Sequence, residues 1–470
     1  MTAESVQVDV VVVGLGPGGE SVATRLAQAG LEVVAVDRRL VGGECPYYGC
    51  IPSKMMIRAG DALAETRRVP QLAGESTVTP DWGHVHARIR DEATTDWDDQ
   101  IAVERLERAG VTFVRGPAVL TGPRTVEVDG SAGSGQEATR YVAGKDVVLN
   151  TGTDPSAPPI DGLADTPYWT NRDACRLEEL PGSLVVIGGG AIGTELAQAF
   201  SRFGVEVTLL EVADRILPPE EPEASRLVAE VFGQEGIQVL AGAKITSVAY
   251  ADGRFSVEVD PAPGSGQRGT TLHADRLLVA AGRRPNLGDL GLDSVGLDPS
   301  ARSVDVDTHL RATGTEGLWA IGDITGKGAF THVSMYQAAI VARDILGQDG
   351  PEASYHAVPR VTFTDPEVGS VGMTEQQARD AGLDVRVGTT DLASSTRGWI
   401  AKGPGLIKLV EDADRGVLVG ATSVGPSGGE VLSMLVTAVH AEVPTATLRS
   451  MIYAYPTFHR AVEGALSDLA

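Results

Sequence analysis

The chain has 470 residues, of which 42% are hydrophobic and 22% charged, the balance of a folded globular protein rather than a disordered or fibrous one. That length calls for about three domains. Lys and Arg number 39 against 63 Asp and Glu, a net charge of −24, so nucleic acid and anionic membrane surfaces are set aside as partners by repulsion. Only three cysteines occur, Cys45, Cys50 and Cys175, which is no disulfide framework. The first residues carry no basic leader, and no apolar run approaches the ~18 residues of a membrane span. A cytoplasmic location is expected, and there a cysteine pair is more often redox-active than structural.

In chain order, residues 8–19 read as an apolar strand running into a glycine turn. Residues 21–29 follow as an amphipathic helix, and 31–37 as a second apolar strand closed by Asp37. This is a βαβ unit. Residues 111–128 read as short strands with turns at Gly116-Pro117 and Gly122-Pro123, 131–137 as a polar loop, and 146–150 as a strand into Thr151-Gly152. The proline-rich stretch 155–159 marks a domain exit. The βαβ pattern then returns over 183–193, 194–203 and 205–211, closed by Glu211. A Gly/Pro loop at 261–269 and a strand at 277–281 lead into Gly282-Arg283-Arg284-Pro285. After a linker at 347–357 come strand patterns at 360–363, 405–411 and 417–424 and a long helix at 429–441. The predicted fold class is α/β: two Rossmann-like nucleotide-binding domains plus a C-terminal α+β domain. The boundaries fall at 1–150, 151–276, 277–346 and 347–470.

Gly14, Gly16 and Gly19 fit G-x-G-x-x-G. The first glycine turns strand into helix, the second lets a pyrophosphate approach the backbone, and the third lets helix and strand pack closely. The helix N-terminus behind them offers free N–H groups and a positive dipole end to phosphate. Asp37, ending the second strand, can accept the ribose hydroxyls. Gly188, Gly190 and Gly193 repeat the motif, and Glu211 follows Gly188 at the same separation as Asp37 follows Gly14. A carboxylate there suits a free 2′-hydroxyl and repels a 2′-phosphate, so NADH is expected over NADPH, with Arg215 the nearest cation.

Directly after the first unit comes Gly42-Gly43-Glu44-Cys45-Pro46-Tyr47-Tyr48-Gly49-Cys50-Ile51-Pro52-Ser53-Lys54. A regular helix turn does not bring cysteines at this spacing together, but Pro46 and Gly49 permit a distortion that would. Spacing alone leaves two readings: a local redox disulfide, or two unpaired buried thiols. The segment resembles the redox-active disulfide of the flavoprotein disulfide reductases, the group of lipoamide dehydrogenase, glutathione reductase and mercuric reductase. Their pattern runs Gly-Gly-x-Cys-x4-Cys-Ile-Pro-Ser-Lys. Thr151-Gly152 and Gly282-Arg283-Arg284-Pro285-Asn286 resemble the family's strand-ending glycine motifs, and Ala320-Ile321-Gly322-Asp323 its second FAD motif.

The resemblance implies FAD in the first site, held by residues including Gly43 and Asp323, and NAD(H) in the second. It implies that 1–150 and 277–346 bind FAD, that 151–276 binds NAD, and that 347–470 is a dimerisation domain of a homodimer. Cys45 and Cys50 would form the disulfide, with Cys50 against the flavin and Cys45 the thiol exchanging with substrate, both with lowered pKa values. Lys54 would lie near the flavin ring, paired with Glu195 beside the nicotinamide. No metal ligand set is implied. Cys175 has no motif around it and reads as a bystander.

The C-terminal active-site motif departs from the family. Residues 444–457 occupy its place, and the usual His-Pro-Thr reads Tyr455-Pro456-Thr457, with Arg460 where a glutamate is usual. Tyrosine ordinarily titrates near ~10 and histidine near ~6.5, so a tyrosine donates a proton but is a poor neutral-pH base. An arginine beside it favours the phenolate. His459 and Glu463 are spaced to pair on a helix. Mercuric reductases also use tyrosines there but typically end in a cysteine pair, whereas this chain ends Leu466-Ser467-Asp468-Leu469-Ala470. Tyr47 and Tyr48 either line a substrate pocket or pack into the first domain. The leading expectation is an NADH-linked FAD enzyme passing electrons through Cys45–Cys50 to a non-standard small-molecule disulfide, thiol or other acceptor. The alternatives are a flavin reductase of quinones or metal ions and a catalytically idle flavoprotein subunit.

Overall fold

A computed structural model describes residues 5–129, 138–260 and 269–469. The polar loop expected at 131–137 and nearly all of the loop at 261–269 lie outside the described residues. The chain divides into two compact units. The first comprises Met1–Pro52, Ala87–Ser156 and Arg283–Tyr355; the second comprises Ser53–His86, Ala157–Gly282 and His356–Ala470.

The first unit is built on a mixed sheet. Its parallel part orders Val111–Arg115, Val33–Asp37, Ser5–Val13 and Thr139–Leu149. The last of these is long enough to take two neighbours, antiparallel Thr125–Val128 on residues 139–142 and parallel Leu318–Ala320 on 147–149. Because side chains alternate along a strand, the Val10–Val13 run splits between two cores. Val10 and Val12 pack with Leu15, Val22, Leu26 and Val341 beneath the helices Pro17–Gln28 and Thr331–Ile345. Val11 and Val13 pack on the opposite face with Val147, Leu149, Leu287 and Ile324. An unbroken valine run is therefore what a strand covered on both faces requires.

The second unit holds three sheets. Gln238–Ala241, Glu206–Glu211, Ser183–Ile187 and Arg276–Val279 form a parallel sheet in that order. Lys244–Ala251, Arg254–Asp260 and Thr270–Ala274 form an antiparallel one. The third orders Pro359–Thr362, Glu367–Gly372, Val417–Gly425, Leu406–Asp412 and Val385–Asp391, all antiparallel. Its core packs under the helices Gly428–His440 and Ala461–Asp468. Two of these strands, Glu367–Gly372 and Val385–Asp391, have no counterpart in the sequence reading. The first is too glycine-rich to look like a strand, and the reason is packing: a side chain at Gly369 would press against the Gly428 carbonyl at 3.0 Å. Among the described residues no helix is long and apolar enough to cross a membrane.

Candidate active site

The two G-x-G-x-x-G turns are built alike. Gly14 has φ +93° and Gly188 φ +111°; a side chain at either would collide with the carbonyl just past the end of a neighbouring strand, Asn150 in the first unit and Ala280 in the second. A side chain at Gly19 or Gly193 would collide with the carbonyl of the first glycine of its own motif. Gly190 has no neighbour within 4 Å on its side-chain face, and Gly16 has only the Asn150 amide at 3.3 Å. Both following helices, Pro17–Gln28 and Ala191–Arg202, start without a side-chain cap, so their first N–H groups stay available.

The acidic residues also correspond. Asp37 accepts from the N–H groups of Leu15 at 2.7 Å and Arg39 at 2.7 Å; Glu211 accepts from those of Gly189 at 2.6 Å and Ala213 at 2.8 Å. Each carboxylate thus ties its strand end to the residue after the first motif glycine. Each oxygen keeps a further lone pair for a ribose hydroxyl. Burial pushes the Asp37 carboxyl up from its ordinary pKa, against the pull of those two N–H donors.

The returning segments of the first unit close around the first turn. Asn150 lies beside Gly14, donating to its carbonyl at 3.4 Å and accepting from Ser334 at 3.2 Å. Thr151 donates to the Asn286 carbonyl at 2.9 Å, and the Asn286 amide answers to the Thr151 carbonyl at 3.0 Å. Gly152 takes φ +64° just before the strand Thr153–Pro155, which pairs with Arg283–Pro285. Thr153 donates to Asp323 at 2.7 Å and accepts from Arg283 Nε at 2.6 Å, and Arg283 lies 3.6 Å from Glu44. Gly282, with φ +151°, ends its part of the second unit. A side chain on Gly43 would press against the Gly16 backbone, so the cysteine segment starts directly over the first glycine turn.

Cys45 sits in the short helix Glu44–Tyr48, Gly49 breaks it, and Cys50 begins the long helix Cys50–Leu72. The break places both sulfurs within hydrogen-bonding reach, Cys50 exposed and Cys45 half-buried. Cys50 Sγ is 3.6 Å from Thr331 Oγ1. The expectation of a lowered Cys45 pKa is corrected. Its hydrogen bond to Cys50 and then burial push the thiol well above the usual range, with Thr331 only partly opposing. A proton shared with the neighbouring sulfur is held more tightly than a lone thiol's. Tyr47 is buried, its phenol pushed up to about 12 chiefly by burial, and its carbonyl accepts from Trp97 Nε1 at 3.1 Å. It packs into the first unit. Cys175 is buried in the helix Asn171–Cys175.

In the second unit Lys54 donates to Glu195 Oε2 at 2.7 Å. Glu195 is buried on the helix Ala191–Arg202, and its other oxygen accepts from the Phe363 N–H at 2.8 Å. A buried carboxylate of this kind is stable only when paired, and Lys54 pairs it.

The C-terminal residues are arranged differently from expectation. His459 precedes the helix Ala461–Asp468, its ring 6.3 Å from Tyr453, and Glu463 pairs instead with Arg460 at 2.9 Å. A helix-spaced His459–Glu463 pair needs both residues on the helix, and the chain enters it two residues too late. Tyr455 is 67% exposed and donates to Thr396 Oγ1 at 3.2 Å, with the Arg460 guanidinium 5.4 Å from its ring centre. Thr331, Asn150, Thr153 and Phe363 belong to these sites without having been legible in the sequence. None sits in a spaced motif, and each is brought in by a distant segment. Among the described residues no group of three or more His, Cys, Asp or Glu is placed to hold a metal ion.

Comparison with known proteins accounts for both halves of the chain. Residues 8–338 match the family described as pyridine nucleotide-disulphide oxidoreductase, and 358–466 match the dimerisation domain of the same family. The chain is 33% identical over 463 residues to dihydrolipoyl dehydrogenase of Chlorobaculum tepidum, covering 98% of this chain and 97% of that protein. It is 31% identical over 434 residues to mercuric reductase of Staphylococcus aureus, covering 92% of this chain and 77% of that one. Among solved structures it resembles the Cu(II) complex of the HOCl-induced flavoprotein disulfide reductase RclA from Escherichia coli, with a TM-score of 0.83 and 26% identity over 98% of this chain and 99% of that one. It also resembles LpdA from Mycobacterium tuberculosis, with a TM-score of 0.85 and 25% identity over 98% of this chain and all of that one. The chain belongs to the pyridine nucleotide-disulphide oxidoreductase family, enzymes that use FAD and a pyridine nucleotide.

Proposed function

We propose that the protein is a cytoplasmic, homodimeric, NADH-linked thiol–disulfide oxidoreductase. Two electrons and a proton from NADH, with one further proton, convert the Cys45–Cys50 disulfide to two thiols, which then reduce a small-molecule acceptor. The observation that carries the reading is the pair itself, two thiols within hydrogen-bonding reach across the Gly49 break. The residues around the first turn suit FAD: a glycine cradle open at Gly16, an uncapped helix start, and the Asp37 carboxylate. Bound FAD supplies the means of turning a hydride into electrons for a disulfide. Asp323, which accepts from Thr153, itself gripped by Arg283, would face its ribityl or phosphate side. In the second unit Gly190 leaves room for the nicotinamide dinucleotide's pyrophosphate, and Glu211 favours a ribose without a 2′-phosphate. Lys54, anchored by Glu195, would be the cation that offsets negative charge on the reduced cofactor. Cys50 would face the cofactor and Cys45 the acceptor, with Tyr455 donating the proton the leaving thiol needs.

A second reading, in which electrons leave for a quinone or a metal ion as substrate without passing through Cys45, draws support from Tyr455 and Arg460. They stand where a histidine and a glutamate are usual. A Cys45→Ser variant separates the two. The expected outcome is loss of disulfide-dependent NADH oxidation by about two orders of magnitude or more, with NADH still reducing the bound flavin. Unchanged turnover on quinones or metal ions, with no activity on any disulfide, would replace the first reading with the second. Bound FAD that NADH does not reduce at all would leave an idle subunit.

A further inference from the structure

Lys54 has more than one wall. Glu195 Oε2 takes one of its protons at 2.7 Å and Ser53 Oγ another at 3.3 Å. The Phe363 ring centre lies 4.6 Å from the same ammonium nitrogen, at cation–π distance. That ring is not loosely placed. The Phe363 N–H donates to Glu195, the Asp365 N–H donates to Gln198 Oε1 at 2.8 Å, and Gln198 Nε2 donates to the Asp365 carbonyl at 2.9 Å. Arg202 reaches Asp365 Oδ2 at 2.8 Å. Glu195, Gln198 and Arg202 lie on one face of the helix Ala191–Arg202, spaced as such a face requires. All three grip the stretch 363–365.

The same helix fixes the segment bearing Lys54. Arg202, only 3% exposed, pairs with Asp61 at 2.6 Å as well as with Glu235 at 2.6 Å. Lys54 to Asp61 and Glu195 to Arg202 are equal steps of two helical turns, so the two ion pairs lock the helices in register at both ends. Gly60 allows the close approach, since a side chain there would already lie 3.3 Å from Arg202.

We propose that Phe363 is a positioning residue for Lys54. Its ring closes a side of the ammonium that Glu195 leaves open, and Gln198 and Arg202 hold the ring in place through Asp365. An ammonium between a carboxylate and a ring face keeps its protons occupied and its direction fixed. Removing the ring leaves charge and ion pair intact but lets the side chain swing. The consequence for turnover rests on the role proposed above for Lys54. The local consequence does not.

The test is amine-selective acylation of the holoenzyme, followed residue by residue with mass spectrometry, using exposed Lys244 and buried Lys408 as internal references. In Phe363→Leu, Lys54 is expected to label roughly two- to thirty-fold faster, the span set by cation–π contacts of this kind, with both references unchanged. Flavin reduction by NADH slows in the same variant, falling in kcat more than rising in KM. Phe363→Tyr, which keeps an aromatic face, restores wild-type labelling. Gln198→Met alters no atom touching Lys54 and is expected to speed Lys54 labelling as well, which keeps the test alive should Phe363→Leu fold poorly. Wild-type Lys54 labelling in the folded variants, or a rise shared by Lys244 and Lys408, would overturn the proposal. Because labelling involves no turnover, this outcome is independent of whether Cys45–Cys50 is the electron carrier.

Discussion

Cys45 is the residue whose surroundings most constrain how the pair can work. Its proton is shared with Cys50, and its desolvation is partial. A nucleophilic thiolate at Cys45 therefore requires either a base or the loss of the neighbouring sulfur's hold. Since the pKa is raised, the thiolate fraction at Cys45 stays small through neutrality and grows as pH rises. Alkylation of the reduced protein, mapped to Cys45, is expected to climb about tenfold per pH unit from pH 7 to 9 with no plateau. A free cysteine would level off near ~8.5. Cys50→Ala removes the largest cause of the shift and is expected to speed Cys45 alkylation at pH 7 by about tenfold or more. A Cys45 profile that already levels off by pH 8.5 in the wild type would refute this account. A tyrosine is a poor base at neutral pH, so the role proposed for Tyr455 is that of acid for the leaving thiol. Tyr455 is exposed, and its hydroxyl proton, now donated to Thr396, would have to leave that bond to serve the role.

The repeated βαβ element allows each cofactor site to be disturbed separately. Gly19 and Gly193 occupy the same place in the two copies, each with its side-chain position filled by a backbone carbonyl. Alanine at either forces helix and strand apart, an overpacking that costs about 1–3 kcal/mol. Gly19→Ala is expected to release FAD on dilution while leaving nicotinamide binding to the second unit intact. Gly193→Ala is expected to retain FAD and raise the KM for NADH about five- to a hundredfold. Retained FAD absorbance and NADH titration check the pair, and equal effects on both ligands from either substitution would contradict it. This copy-to-copy correspondence was legible in the sequence because strand, glycines, helix and acid lie within one short segment. So were the cysteine motif and the Lys54–Glu195 pair, the latter only through resemblance. What was not legible is what distant segments deliver. Asn150 and Ser334 at the first turn, Thr331 at Cys50 and Phe363 at Lys54 have no spacing signal, because each partner is reached through the fold. The strand Glu367–Gly372 was hidden by the glycines that let a helix lie on it. His459 was misjudged because a helix boundary fell two residues later than its i, i+4 spacing supposed.

At the scale of the molecule, charge and apolar exposure pull in opposite directions. Each chain carries −24, so two copies repel through solvent. Yet the second unit, whose residues 358–466 match a dimerisation domain, leaves large apolar side chains bare: Ile452 is 99% exposed, Trp399 72%, with Met451 and Ile400 about half-exposed. An isoleucine stranded in water is expected to be covered in the assembled protein. Burying one contributes about 1.5–3 kcal/mol, and a two-fold dimer buries it twice. Ile452→Lys should therefore weaken association by about two to four orders of magnitude, more than the gain from lowering each chain's negative charge returns. Light scattering at micromolar protein checks this. Salt supplies the complementary measurement, because like charges separated by more than about 10 Å are screened at 0.1 M. Raising ionic strength should tighten the wild-type dimer, the reverse of its effect on a dimer held by ion pairs. If Tyr455 of one chain serves the cysteines of the other, the Ile452→Lys monomer should still oxidise NADH into its flavin but lose acceptor reduction. An Ile452→Lys protein that stays dimeric would remove this face from the interface. A monomer with full acceptor turnover would show that each chain completes its own site.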